Sequence, residues 1–167
     1  MIDSLEVRAF DCLEQALLDA GVSFSEMTRQ YALYLRGLID SGALASISDA
    51  KLQALIPYIE EGIQREPIEN DGDLRKKLAV ELWEIEEQHR KSDENFANLI
   101  RCVLFCLETQ ERWIEEEAWD ATPVYLYFLV LKKILPGARQ GFINNFQDFI
   151  ACREKQAALN KQGLGAH

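Results

Sequence analysis

The chain has 167 residues, 48% of them apolar and 28% charged, a composition that suits one globular domain and excludes intrinsic disorder. Its 28 acidic and 18 basic residues leave a formal charge of −10, so phosphate backbones and anionic membranes repel it while a basic protein is drawn to it. The longest apolar run, Val124 to Leu131, falls far short of the roughly 20 residues that span a bilayer.

Helical periodicity runs through the chain from its start. Ile2, Leu5, Ala9, Phe10, Leu13 and Leu17 fall on one stripe, with Asp3 or Ser4 placed to cap the helix and Gly21 to end it. Ser23 and Glu26 spell a capping box that opens a second helix carrying Met27, Tyr31, Tyr34, Leu35 and Leu38, closed by Gly42. The short link between the two predicts an antiparallel pair. Ser46 with Asp49 is expected to open a third helix bearing Leu52, Leu55, Ile56 and Ile59, with a kink or break at Pro57. Residues 65–73 contain Pro67, Asn70, Asp71 and Gly72 and are expected to form a loop, suited to a hinge between subdomains.

Two long helices are predicted next. The first places Leu74, Leu78, Leu82, Ile85 and His89 on one apolar face widened by Val80 and Trp83. The second follows Ser92 and Asp93, aligns Phe96, Leu99, Ile100, Val103, Leu104 and Leu107, and is expected to continue to about Ala118. Val124 to Leu131 has the composition of a buried strand, yet no second strand exists to pair with it. Thr122-Pro123 before it and Pro136-Gly137 after it frame a buried central helix near residues 123–135. A last helix carries Phe142, Ile143, Phe146, Phe149 and Ile150 and ends in a polar tail over 161–167. The expected fold is an all-α, single-domain bundle of about seven helices built from antiparallel hairpins.

Motifs of chemistry are few. Glu86 and His89 stand three apart, as a carboxylate and imidazole do on one metal of di-iron bundles, but that architecture needs a second such pair, and the remaining histidine is His167. Cys102 and Cys106 share a helical face among apolar neighbours, which favours core thiols over metal ligands. No nucleophile elbow, phosphate loop or dinucleotide fingerprint is present. No catalytic residue, metal ligand or cofactor is expected, and the chain reads as something other than an enzyme. The N-terminal segment lacks the positive and apolar regions of a secretory signal, and the four cysteines read as reduced thiols, so the expected location is cytoplasmic.

The charge distribution says more. Residues 60–120 hold 18 acidic and 8 basic residues, a net of −10, and the rest of the chain balances to zero. Glu108, Glu111, Glu115, Glu116, Glu117 and Asp120 cluster around Trp113 and Trp119, and Glu81, Glu84, Glu86 and Glu87 cluster on the preceding helix. A run of like charge is ordinarily a solvated face. Repulsion between like charges three and four apart disfavours a helix, however, and aromatics among carboxylates are the anchors that interfaces use. The expected partner-binding set is Glu84, Glu87, Glu108, Glu111, Glu115, Glu116, Glu117, Trp119 and Asp120, and the expected partner is a protein with a basic surface, not a nucleic acid or a membrane. The concrete form of that expectation is an inhibitor or immunity-type protein that neutralises a toxin. Two alternatives stand beside it: a helical-bundle enzyme or ligand-binding protein with a pocket lined by Tyr125, Tyr127 and phenylalanines of the last helix, and a subunit that forms homo-oligomers.

Overall fold

A computed structural model of the chain describes residues 3–64, 71–115 and 122–164, with side chains described for 3–64, 73–112 and 122–163. Eight helices and no strand occur among the described residues: α1 Ser4–Asp19, α2 Phe24–Asp40, α3 Asp49–Ile63, α4 Asp71–His89, α5 Glu94–Cys106, α6 Gln110–Glu115, α7 Val124–Leu131 and α8 Arg139–Leu164. None is long and apolar enough to cross a membrane.

The first helices begin and end where their side chains dictate. Asp3 caps α1 by accepting from the backbone N–H groups of Leu5 and Glu6, and Gly21 leaves the helix at φ +67°. The capping box of α2 is complete: Ser23 Oγ accepts from Glu26 N, and a Glu26 carboxylate oxygen accepts from Ser23 N at 2.8 Å. Gly42, at φ +77°, turns the chain after α2. The α3 cap lies two residues later than expected, at Ser48, because Leu44 and Ile47 are buried in the connection and carry it past Ser46. Pro57 does not break α3. Burial of Leu52, Leu55, Ile59 and Gly62 holds the helix together across a residue that costs about 3 kcal/mol in an isolated helix.

Three further boundaries differ from expectation. Asp71, Gly72 and Asp73 belong to α4, so helix covers the end of the expected 65–73 loop, and the rest of that segment lies outside the described residues. The helix after Asp93 stops at Cys106 instead of running to Ala118. The N–H groups of Leu107 and Glu108 reach back three residues, to Leu104 and Phe105, and Thr109 Oγ1 then accepts from Arg112 N and restarts the chain as α6. In the C-terminal tail, residues 161–164 continue α8, and 165–167, including His167, lie outside the described residues.

The central helix of the bundle is α5. Nine of its thirteen residues are buried, on every side: Phe96, Ala97, Asn98, Leu99, Ile100, Cys102, Val103, Leu104 and Cys106. It packs against α2, α3, α4 and α7. The segment expected to be central, α7, is shorter and one-sided. It buries Val124, Tyr127, Phe128 and Leu131, turns Leu126 and Leu129 outward, and ends before Lys132. Pro123 is its cap residue, and Thr122 Oγ1 takes no more than a long 3.5 Å contact from Val124 N while donating to Glu14 at 2.6 Å.

The core has two textures. Around α5 it is mainly aliphatic and thiol. Between α1, α2, α7 and α8 it is aromatic: Phe10 stacks on Tyr125 and Phe128 with centroids 4.7 Å apart, Tyr31 lies over Tyr127 at 4.4 Å, and Phe142 meets Phe10, Tyr31, Tyr34, Phe128 and Phe146. Tyr125 and Tyr127 thus pack on Phe10 and Tyr31, and Phe142 of α8 meets those same two rings. The N-terminal half of α8 docks on α1 and α2 through Phe142, Ile143 and Phe146. Arg153 is its last tether, bonding Glu26 and the Ala20 carbonyl, and every residue from 154 to 163 is exposed.

At one point three helices meet too closely for a side chain. A Cβ added at Gly62 of α3 would lie 2.8 Å from Cys106 Cβ, 2.9 Å from Cys106 O and 3.3 Å from Ala32 Cβ. The obstacle is backbone and Cβ atoms, which cannot swing aside. Gly62→Ala is therefore expected to lower the unfolding free energy by about 1–3 kcal/mol, although alanine is the better helix former. Urea unfolding of the two proteins checks this, and a variant as stable as the native chain would contradict the close approach.

Candidate protein-interaction face

Helix α4 joins the bundle through the expected side of Leu78, Leu82, Ile85 and His89, extended to Ala79 and Glu86, while Leu74 stands exposed. Ala79, Leu82 and Glu86 are its buried residues, with Leu78 and Ile85 half-buried beside them. Val80 and Trp83, expected to widen the apolar face, stand 58% and 44% exposed. The helix is rotated so that a carboxylate enters the core and an indole leaves it.

The carboxylate is tolerated because it arrives with counter-charges. Glu86 is 0% exposed, and two guanidiniums hold it. Arg90 donates to Oε1 and Oε2 at 3.0 and 2.7 Å from the same helix, and Arg101 of α5 donates twice to Oε1 at 3.1 and 2.8 Å. A third nitrogen of Arg101 donates to the buried Asn98. Hydrogen bonds from Arg90 and then Arg101 hold the Glu86 carboxyl below its ordinary value of 4.5 against the opposing effect of burial, and the same pairing raises Arg90. His89 points elsewhere: its Nδ1 lies 2.9 Å from the Ile85 carbonyl and its ring meets Phe96 edge-on. Glu86 and His89 therefore have separate partners, and among the described residues no group of three His, Cys, Asp or Glu side chains is placed to share a metal. Cys102 and Cys106 are buried thiols; burial raises Cys102 to about 12 and pushes Cys106 up as well.

The expected acidic surface is partly spent inside the fold. Besides Glu86, Glu60 pairs with Arg36, Asp93 with Lys51, and Glu108 with Arg112 at 3.4 Å. Glu81 accepts from Tyr58. Of the expected partner-binding residues, Glu84, Glu87 and Glu111 are exposed, and Glu108 is half-buried against Arg112. Glu115 closes α6 with its side chain outside the described residues, and Glu116, Glu117, Trp119 and Asp120 lie outside them altogether.

The break after α5 determines what lies beside α4. It turns α6 back so that Thr109, Glu111 and Arg112 line a groove with Lys76, Val80 and Trp83. A neighbouring depression of about 200 Å³ runs from Trp83 and Arg112 past Leu104 and Phe105 to Val130. A larger cleft of about 320 Å³ opens on the other side of α6, between Phe24 and Thr28 of α2, Gly62 of α3, Arg75 of α4, and Glu111. The face thus combines an exposed indole and isopropyl group with three carboxylates, within a mixed rim that includes Lys76 and Arg112. Sequence reasoning missed Val80 and Trp83 as surface residues. The available signal was Glu86 with Arg90 and Arg101, which marks the inward side of α4, and Thr109, which marks a new helix start.

Comparison of the chain with protein-family models, with curated proteins and with solved structures finds no match. The fold is an all-helical bundle, and the face must be read from its own chemistry.

The Glu86 cluster makes two measurable statements. Arg101→Met, which leaves a buried carboxylate with one partner, is expected to cost about 2 kcal/mol. That is below the 3–5 kcal/mol of a fully buried pair because Arg101 is itself a third exposed. The exposed Glu84→Gln is expected to change stability by no more than about 0.5 kcal/mol. The pH dependence follows from the lowered Glu86 value. Its contribution is whole above the unfolded value of 4.5 and is lost as pH falls through the lower folded one. The stability gap between the native chain and Glu86→Gln should be flat from neutrality down to about pH 5.5 and narrow below that. A gap that persists unchanged in acid would contradict the ion-pair account.

Proposed function

We propose that the chain is a protein-binding module whose acidic helical surface takes up a basic patch on another protein, in the way an inhibitor or immunity-type protein neutralises a toxin. One juxtaposition carries the reading: Val80 and Trp83 stand exposed on α4 with the carboxylates of Glu84, Glu87 and Glu111 around them. An aromatic anchor in a polar rim is the arrangement that concentrates binding energy at protein interfaces, where tryptophan is enriched. The formal charge of −10 supports it at longer range by steering a positive partner toward the chain. Pairing of Glu86 and Glu108 with arginines leaves Glu84, Glu87 and Glu111 as the exposed glutamates of that set among the described residues.

Binding of this kind weakens with salt, mainly through a slower association rate. Partners drawn from the source cells by the native chain at low salt should be released at high salt. They should also be lost with the double charge reversal Glu84→Lys and Glu111→Lys, which alters two exposed side chains and leaves the core intact. A partner held equally at high salt, or equally by the reversed variant, would refute the electrostatic reading.

A further inference from the structure

The outward face of α4 carries a symmetry of its own. Asp73, Lys76, Val80, Trp83, Glu87 and Arg90 recur at alternating spacings of three and four, and all six are exposed. This is the heptad alternation that lets one helix lie along another with knobs in holes. Its two central positions are apolar and its outer four are charged.

A second copy of α4 laid antiparallel, with a two-fold axis between Glu81 and Leu82, matches the face to itself. Val80 then meets Trp83 of the second copy, Lys76 meets Glu87, and Asp73 meets Arg90, and each contact occurs twice by symmetry. Lys77 and Glu84, which flank the seam on one side, also come opposite each other. A parallel pairing would instead set Lys76 on Lys76 and Glu87 on Glu87, so the charges select the antiparallel arrangement. A uniformly basic helix would meet repulsion from Lys76 and Lys77 over half the length. The occupant that satisfies the whole face is another copy of this chain.

We infer that the chain self-associates as a two-fold dimer through α4, with Val80 and Trp83 at its centre and the Lys76–Glu87 pairs on either side. The nineteen residues of α4 extend about 28 Å at 1.5 Å per residue, and two apolar side chains per copy give an interface in the weak, transient range. This goes beyond the partner-binding reading and does not rest on it. The dimer covers Glu84 and Glu87 and brings the second copy beside Glu111, which lines the groove with Val80 and Trp83, so a basic partner and a second copy compete for the same face.

Sedimentation equilibrium of the full chain, alone and up to about 1 mM, tests the inference. Lys76→Glu and Glu87→Lys each turn two attractive rungs into repulsive ones, and each is expected to weaken self-association by about tenfold or more. Both residues are exposed, so circular dichroism should show both variants folded. Mixing the two in equal amounts rebuilds every rung with its sign reversed in one half and should restore native affinity as a heterodimer. A general loss of stability would not be rescued by mixing. A chain that stays monomeric throughout, single variants that associate like the native protein, or a mixture no tighter than either variant would each overturn the dimer. Because no partner is present, those results leave the partner-binding reading to its own test.

Discussion

The bundle is organised around one constraint: α5 buries nine of its thirteen residues. A helix with a single apolar stripe needs one neighbour, whereas one mostly buried must be enclosed. Four helices do this, α2, α3, α4 and α7, and α1 and α8 complete the aromatic half of the core beyond them. The enclosure is tight enough that α3 approaches through a glycine, where the Cys106 backbone leaves no room for a methyl group.

Enclosing α5 with α4 brings charge into the interior. The α4 face that reaches α5 includes Glu86, and the α5 surface it meets offers Arg101 and Asn98. Such a cluster adds little net stability over a hydrophobic replacement, because desolvation offsets attraction. It does orient the helix. With Glu86 bonded to Arg101 of α5, that side of α4 faces inward, and Trp83 and Val80 face outward. The exposed indole is thus a consequence of where a carboxylate had to go.

Most of the helical architecture was legible because it is local. Caps such as Ser23 with Glu26, and terminators such as Gly21, act within four residues, and the structure places them as the periodicity implies. What was not legible depends on contacts distant in sequence. Pro57 reads as a breaker until the packing of Leu55 and Ile59 is known. Val80 and Trp83 read as core until Arg101, far along the chain, draws Glu86 inward. The count of acidic residues overstated the negative surface for the same reason: the cations that neutralise it, Arg36, Lys51 and Arg101, come from other helices. Of the expected site, Glu84, Glu87 and Glu111 emerge exposed, and Glu108 emerges paired.

Helix α8 is built in two regimes. Up to Arg153 its conformation is secured by side chains seated on α1 and α2. After that point ten consecutive residues are exposed, and a peptide of that length would not hold a helix unaided. Its order is inherited: the seated half supplies the costly first turn, and each later residue adds to a template already formed. Loosening the Arg153 anchor would therefore shorten the ordered rod from its free end while leaving the bundle beneath it undisturbed.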